Sequence, residues 1–388
     1  MLGNDIQIQQ LVGVGDVHLS LAPDQRVYCL IGENGIGKTK CLEALFIAGF
    51  CSHEISNKWV SRLRTISHPK FNKLSSMNIG VEFGFNDGAI TNKNPLQTLK
   101  SIHNLALVYV PAYSRGYIED SIEAIQKREN GEINSFETRR DAYIERISEI
   151  LKGYKSFKSG LFKVPVHEWI IQRAQSANPY KAKEDNREVE ITTLLALLNK
   201  VDERIDAKFL EISVDNRVFI KVAEKKTELS ELSSGFASLL KIMQSIIAGY
   251  SYFTNETNIA QVKGVVFIDE IESHLHTKWQ AKIIPTLKDL FPNTTFYITT
   301  HSAIVISQLQ QGEAYELYRD DSDDIVKSKL INHPNNSAFV DLLKDAFDVD
   351  INRLKLDRDN APQQAQAKKA LLSLIDKKLQ QLEEMGPS

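Results

Sequence analysis

Apolar residues alternate at Ile6 and Ile8, then at Val17, Leu19 and Leu21, before closing into the nearly continuous run Val27 to Ile31. Alternation marks half-buried strands, and an unbroken run marks a strand covered on both faces. From Lys38 to Ala48 the period changes, with Leu42, Leu45 and Phe46 on one helical face and Gly49 as the expected stop. Strand, glycine-rich loop and helix therefore follow in order. Ile79, Val81, Phe83 and Phe85 predict another half-buried strand, turned by Asn86-Asp87-Gly88. Leu105 to Val110 predicts a further apolar strand closed by Pro111.

Between Tyr113 and Ile205 the pattern shifts to charged helical segments, broken at Pro165 and Pro179 and without a sustained heptad run. A hairpin is expected next, with Leu210, Ile212 and Val214 facing Val218, Ile220 and Val222 across Asp215-Asn216-Arg217. The α/β pattern then returns as a helix from near Ser234, a strand Val265 to Ile268, a helix from Trp279 to Leu290 and a strand Phe296 to Thr299. Two short strands, Ala314 to Tyr318 and Ile325 to Ile331, precede a helix after Ser337. The last amphipathic helix, from Pro362 to Met385, carries Leu371, Ile375, Leu379 and Leu382 on one stripe. That stripe serves either as a docking element for a partner or as packing against its own domain.

Composition adds little beyond class. The chain has 388 residues, 42% hydrophobic and 25% charged, the balance of a globular protein able to bury a sheet. No run of about 18 apolar residues occurs, and the start carries no basic stretch leading into an apolar one. A soluble, cytoplasmic protein without membrane contact is expected. The three cysteines, Cys29, Cys41 and Cys51, lack metal-ligand spacing and read as reduced core residues. The net charge of −3 confines any nucleic-acid contact to a local patch. The stretch Lys58-Trp59-Val60-Ser61-Arg62-Leu63-Arg64, continued by Lys70 and Lys73, is either such a patch or a solvated basic surface.

The segment Gly32-Glu33-Asn34-Gly35-Ile36-Gly37-Lys38-Thr39, followed by Lys40, fits G-x-x-x-x-G-K-[ST] between a buried strand and an amphipathic helix. Its glycines let backbone N–H groups converge on phosphate oxygens, and the helix N-terminus adds partial positive charge. Lys38 reaches the outer phosphates and Thr39 can hold Mg²⁺. An ATP-binding loop follows. The run Val265-Val266-Phe267-Ile268-Asp269-Glu270 delivers two carboxylates from a buried strand, Asp269 to support Mg²⁺ and Glu270 to polarise an attacking water.

Leu232-Ser233-Ser234-Gly235-Phe236 opens a helix with Leu239, Leu240, Met243 and Ile247 on its apolar side. Here the chain resembles the ABC ATPase superfamily, whose signature Leu-Ser-Gly-Gly-Gln contacts the γ-phosphate held by the other subunit. The resemblance carries over to Ser233 and Gly235, while Ser234 and Phe236 depart from the common form. An N-cap role for the serines is compatible with that contact. His301, after the strand Phe296-Tyr297-Ile298-Thr299-Thr300, matches the family's γ-phosphate-sensing switch histidine. Glu272-Ser273-His274-Leu275-His276 occupies the D-loop position. The two histidines there lack a third metal ligand.

The phosphate loop, the Ser-Ser-Gly signature and Asp-Glu-Ile-Glu-Ser-His-Leu-His are similar to the RecF, SMC and overcoming-lysogenization-defect (AAA_15/AAA_21) ATPases over roughly Ile6 to Ser302. The implied fold is α/β: an ABC ATPase head, a P-loop NTPase with a mixed sheet, carrying an inserted helical lobe and a C-terminal α/β extension. The expected boundaries are 1–112 for the lobe with the phosphate loop and 113–208 for the helical insertion. Residues 209–312 hold the signature, carboxylates and switch, and 313–388 form the extension. Too little chain follows His301 for a full Toprim nuclease, and Asp320, Asp321, Asp323 and Asp324 read as a solvated turn, the alternative being a metal site. No intrinsic nuclease is expected.

The chain also resembles the ATPase subunits of two-component anti-phage systems, PtuA-type in Septu and retrons and AriA-type in PARIS. The resemblance implies a homodimer or higher oligomer that controls a separately encoded nuclease or toxin. A RecF-like, ATP-gated DNA-binding repair factor is the competing implication. Arg115, just past Pro111-Ala112-Tyr113-Ser114, is a further candidate for coupling lobe to nucleotide, and no Q-loop glutamine is evident.

Overall fold

The computed structural model describes residues 2–55, 70–76, 78–82, 85–86, 89–90, 103–113, 115–116, 118, 136–151, 157, 161, 165–178, 180, 186–336, 366 and 368–373. The strands are β1 (Asp5–Leu11), β2 (Gly15–Ser20), β3 (Val27–Gly32), β4 (Lys73–Ser76), β5 (Gly80–Glu82), β6 (Phe85–Asn86), β7 (Ala89–Ile90), β8 (Ala106–Val110), β9 (Ile205–Ile212), β10 (Val218–Val222), β11 (Lys225–Glu228), β12 (Gly264–Ile268), β13 (Thr294–Thr299), β14 (Ala314–Arg319) and β15 (Val326–Leu330). The helices are α1 (Lys38–Cys51), α2 (Phe136–Leu151), α3 (Val166–Ser176), α4 (Glu188–Val201), α5 (Ser234–Tyr250), α6 (Thr277–Gln280), α7 (Ile283–Leu290) and α8 (Ala303–Ile306).

One mixed sheet organises the described residues, in the order β5-β4-β1-β2-β15-β14-β3-β13-β12-β8. Its half β14-β3-β13-β12-β8 is parallel, whereas β2, β1, β4 and β5 pair antiparallel. The apolar runs explain the parallel half, because each strand sends alternate residues into two separate cores. Cys29, Ile31, Val108, Val266, Ile268 and Ile298 face the layer of α3, α4, α5 and α7. Leu30, Leu107, Tyr109, Phe267 and Tyr297 face α1 and α2. On that second face Tyr297 stacks on Tyr28 at 4.8 Å and on Phe267 at 5.3 Å, so three adjacent strands share one aromatic row.

The three helices described between β8 and β9 divide across the sheet. Through Tyr143, Ile144 and Ile147, α2 joins the α1 face, and the Tyr143 hydroxyl donates to the Leu107 carbonyl at 2.7 Å. On the other face α3 and α4 pack beside α5, tied by buried Glu190, which accepts from Arg173 at 2.8 Å and Arg187 at 2.6 Å. Burial opposes the Glu190 charge, but the two guanidiniums outweigh it and hold the carboxyl below its ordinary range. Strands β14 and β15, expected in a C-terminal extension, lie inside the sheet between β3 and β2.

Several local expectations are corrected. α1 runs past Gly49 to Cys51, because the Gly49 carbonyl is taken by Ser52 N and by His103 Nε2 and needs no glycine cap. The hairpin forms, but its register is shifted from the expected Val214–Val218 and Ile212–Ile220 facing: Val218 pairs with Ile212 and Ile220 with Leu210, and Val214 stands fully exposed in the turn. The helix from Trp279 to Leu290 is two helices, α6 and α7. Pro285 is the physical cause, since its ring would meet the Ala281 carbonyl in an unbroken helix. Strands β4 and β11 were not expected, being short and rich in lysine and serine. The basic residues 58–64, the turn residues 87–88, the helix after Ser337 and most of the helix from 362 to 385 fall outside the described residues, although Leu371 is described and exposed.

The three cysteines are buried and outside any disulfide, and burial pushes the Cys41 and Cys51 thiols up to about 12. Among the described residues no helix is long and apolar enough to cross a membrane.

A buried histidine pair closes α1 onto β8. The rings of His53 and His103 meet edge to face at 5.2 Å. His53 Nδ1 accepts from Ile55 N at 3.0 Å, and His103 Nδ1 accepts from Leu105 N at 3.2 Å. Burial, with the neighbouring ring, lowers His53 to about 3, and burial also lowers His103. The unfolded chain thus takes up protons near 6.5 that the folded chain refuses, so the pair's contribution is complete above that pH and is lost on acidification from there toward 3. The melting temperature is expected to fall between about pH 6.5 and 4.5. His53→Asn, whose Oδ1 can still accept from Ile55, should show a shallower fall in scanning fluorimetry. Equal slopes would assign the acid sensitivity to other groups.

Candidate functional site

The carboxyl ends of β3, β13, β12 and β8 lie side by side, the position where open α/β sheets receive ligands. β3 runs into the phosphate loop, whose Gly32, Gly35 and Gly37 all have positive φ, at 138°, 88° and 109°. At Gly37 space as well as torsion demands glycine, because a Cβ would stand 2.7 Å from Val14 Cγ2. Val14 belongs to the β1–β2 turn, so this packing sets the turn against the start of α1.

Lys38 is buried, and its Nζ donates to the carbonyls of Gly32 at 2.8 Å and Glu33 at 2.7 Å. Burial lowers its pKa, against the opposing pull of Asp269, Glu270, Glu272 and Glu33. The Thr39 hydroxyl donates to Asp269 Oδ1 at 2.9 Å and Oδ2 at 3.1 Å, putting a hydroxyl and a carboxylate together. These hard oxygen donors fit Mg²⁺. Asp269 is 7% exposed, and burial raises its pKa against the hydrogen bonds from Thr299 and Thr39.

Glu270 begins the turn after β12 with φ 44°, a left-handed conformation that costs a non-glycine residue about 1 kcal/mol or more. Its N–H donates to Thr299 Oγ1 at 2.7 Å, and its carboxylate accepts from Ser273 Oγ at 2.9 Å. The Thr299 hydroxyl in turn donates to Asp269 Oδ1 at 2.7 Å. Glu272 accepts from Thr300 Oγ1 and from His301 N, both at 2.6 Å, and so fixes the backbone of the candidate switch. The His301 ring is exposed, and its pKa is lowered by partial desolvation and then by the Lys38 charge.

Lys38, Thr39, Asp269, Glu270 and His301 therefore converge. Lys40 points elsewhere and pairs with Glu43 at 3.3 Å. Ser233 is exposed and caps α5, accepting from Phe236 N at 3.4 Å, while Gly235 is buried against the backbone of His274 and His276. Among the described residues neither bonds to the five converging residues. The link is indirect: Ser238 Oγ donates to the Ser273 carbonyl at 3.0 Å.

Sequence reading missed the parts played by Thr299, Thr300, Glu272 and Gln280, the last accepting from Ser302 Oγ at 2.7 Å. Their partners lie 22 to 30 residues away in the chain, and no local pattern announces such pairs. Among the described residues no group of three or more His, Cys, Asp and Glu side chains is placed to hold a metal. In the β14–β15 turn, Asp320 and Asp323 are matched by Lys327, and Asp324 by Arg319.

A family model described as "AAA domain, putative AbiEii toxin, Type IV TA system" (AAA_21) matches residues 27–307, the span from β3 through the candidate switch. The chain belongs to the AAA_21 family. Septu protein PtuA of Bacillus mycoides (strain KBAB4) is 23% identical over 334 residues, covering 84% of this chain and 40% of that protein. Septu protein PtuA of Bacillus thuringiensis is 23% identical over 343 residues, covering 84% and 78%. A Vibrio cholerae protein, "Retron Vc95 probable ATPase", is 31% identical over 150 residues, covering 37% and 29%. The chain thus spans well under two thirds of the Bacillus mycoides and Vibrio cholerae relatives. Among solved structures, an SMC head bound to the C-terminal winged-helix domain of ScpA covers 86% of this chain and 99% of its own at 12% identity, with a TM-score of 0.41. The SMC head domain of Thermotoga maritima covers 86% and 100% at 12% identity, with a TM-score of 0.36.

The loop geometry separates two substitutions. Gly37→Ala meets both a positive φ and Val14, whereas Gly35→Ala at φ 88° meets nothing within 4 Å. Gly35→Ala is expected to cost about 1 kcal/mol of stability. Gly37→Ala should cost more and weaken ATP affinity at least about tenfold, through displacement of the loop. Melting curves and nucleotide titration check the order, and equal effects would deny the packing on Val14 any part.

Proposed function

We propose that the chain is an ATPase that works as a dimer with two composite sites. The observation that carries the reading is the convergence of Lys38, Thr39, Asp269, Glu270 and His301 at the strand ends, with Ser233 left facing outward on α5. In each site the N–H groups of Gly32 to Thr39, with Lys40 at the edge, bind the phosphates, and Lys38 neutralises their outer oxygens. Thr39 and Asp269 would hold Mg²⁺, which would supply positive charge against the negative charge built up during transfer. Glu270 orients and polarises the attacking water, its carboxylate aimed by the Ser273 hydroxyl and its backbone by Thr299. His301 contacts the γ-phosphate, held in place by Glu272. Ser233 and Gly235 reach the nucleotide of the opposite subunit, so ATP joins the subunits and hydrolysis releases them.

Family membership and the likeness to Septu PtuA and a retron ATPase support a place in bacterial anti-phage defence. In that reading the dimer licenses a separately encoded nuclease or toxin. Copurification tests it: a stable complex with such an effector is expected, whereas ATP-dependent DNA affinity of the protein alone would instead mark a RecF-like repair factor.

Two experiments address the site. Glu270→Gln should lower turnover by about 100-fold or more while ATP shifts the protein to a dimer in light scattering. Full hydrolysis by that variant would remove Glu270 from the role of base. Lys38→Ala and Ser233→Arg should each be inactive alone, yet mixing them should restore up to about one quarter of wild-type turnover, since random two-fold pairing leaves one intact site in half the dimers. Absence of any rescue would show that sites are not shared.

A further inference from the structure

The connector leaving β8 carries a buried charge onto the catalytic turn. Arg115 is 3% exposed, and its Nη2 donates to the backbone carbonyls of Asp269 at 3.0 Å and Glu270 at 2.5 Å. Nε and Nη1 are buried without a hydrogen-bond partner among the described residues. The charges that oppose desolvation of this guanidinium are Asp269, Glu272 and Glu270, all members of the site. Burying a guanidinium with two of its nitrogens unsatisfied is unfavourable, and two carbonyls need no cation to satisfy them. A scaffold role alone would be met at less cost by a neutral donor.

The neighbouring residue points the same way. A Cβ on Gly116 would stand 2.4 Å from His274 Nδ1, and His274 itself has φ 67°. Two consecutive residues of the connector thus press on both ends of the Glu270–His274 turn. Glu270 holds a left-handed backbone, in which the orientation of its peptide plane aims the carboxylate. The chain that continues from Arg115 leads into α2, α3 and α4, and α4 packs in one core with α5, the helix headed by Ser233 and Ser234.

We propose that Arg115 is a positioning residue that clamps the Asp269 and Glu270 carbonyls and so aims the Glu270 carboxylate for hydrolysis. The proposal rests on the reading of Glu270 as the group that polarises water. It assigns control of that group to a cation on the connector, in a chain with no evident Q-loop glutamine.

The test uses the full chain with Arg115→Gln and Arg115→Lys. Turnover of Arg115→Gln is expected to fall at least about 30-fold, the scale of a small misplacement of a reacting group, while Kd for a fluorescent ATP analogue stays within about threefold. Arg115→Lys, keeping the charge and a donor, should recover part of the turnover. In a Glu270→Gln background, Arg115→Gln should produce no further loss. Hydrogen exchange supplies a readout independent of turnover: amides of 269–275 should exchange faster in Arg115→Gln, with those of 27–32 unchanged. Loss of nucleotide affinity in step with turnover, or unchanged exchange at 269–275, overturns the clamp. If Arg115→Gln fails to fold, Gly116→Ala disturbs the same turn through His274 and should speed the same amides, and no change there overturns the proposal equally. A wild-type chain without ATP turnover would defeat the ATPase reading instead, and the exchange comparison would still decide the clamp.

Discussion

The Thr299 hydroxyl is the junction on which the site depends. It accepts from the Glu270 N–H at 2.7 Å and donates to Asp269 Oδ1 at 2.7 Å, so a single side chain on β13 fixes the carboxylate of Asp269 and the backbone of Glu270 just past β12. Because β13 lies between β3 and β12, the same strand sets the spacing between the phosphate loop and those carboxylates. Thr39 then closes the circuit from the loop side, donating to the Asp269 carboxylate that Thr299 already holds. Each hydroxyl works here because the surroundings are dry, where a hydrogen bond is strong and an unmade one is costly.

That dryness has electrostatic consequences. Burial is the leading influence on Lys38, Asp269 and Arg115, lowering the two cations and raising the acid. The Asp269 charge opposes the shift of both cations, and Arg115 in turn opposes the rise at Asp269. The arrangement suits a site for a polyanion with Mg²⁺, in which the added charges must displace hydrogen bonds already present. Lys38 illustrates this, its ammonium resting on the loop carbonyls of Gly32 and Glu33. Three elements meet at the turn after β12. It combines positive φ at Glu270 and His274 with contacts from the β8 connector, from α5 through Ser238 and from β13 through Thr299.

Much of this was legible in the chain. The alternation and apolar runs up to Ile31 give β1, β2 and β3 at their observed places, and G-x-x-x-x-G-K-T marks the loop because phosphate binding restricts its residue types locally. Errors arose where a distant partner overrode a local rule. Gly49 does not end α1 because His103 reaches its carbonyl, and Val214 leaves its strand because Val218 pairs with Ile212 instead. Pro285 was the reverse case, a local signal present in the sequence and decisive for the break between α6 and α7.

The sequence by itself determined the strand and helix types, the phosphate loop and the identity of the two carboxylates, because periodicity and motif chemistry act over a few residues. Only the tertiary structure decided that β13 lies between loop and carboxylates, that Thr299 and Glu272 hold Glu270 and His301, and that Arg115 reaches the carbonyls of Asp269 and Glu270 across 154 and 155 positions. Those contacts depend on strand order in a sheet with crossovers, and strand order is a property of how two apolar faces are covered at once. No window of the chain contains it.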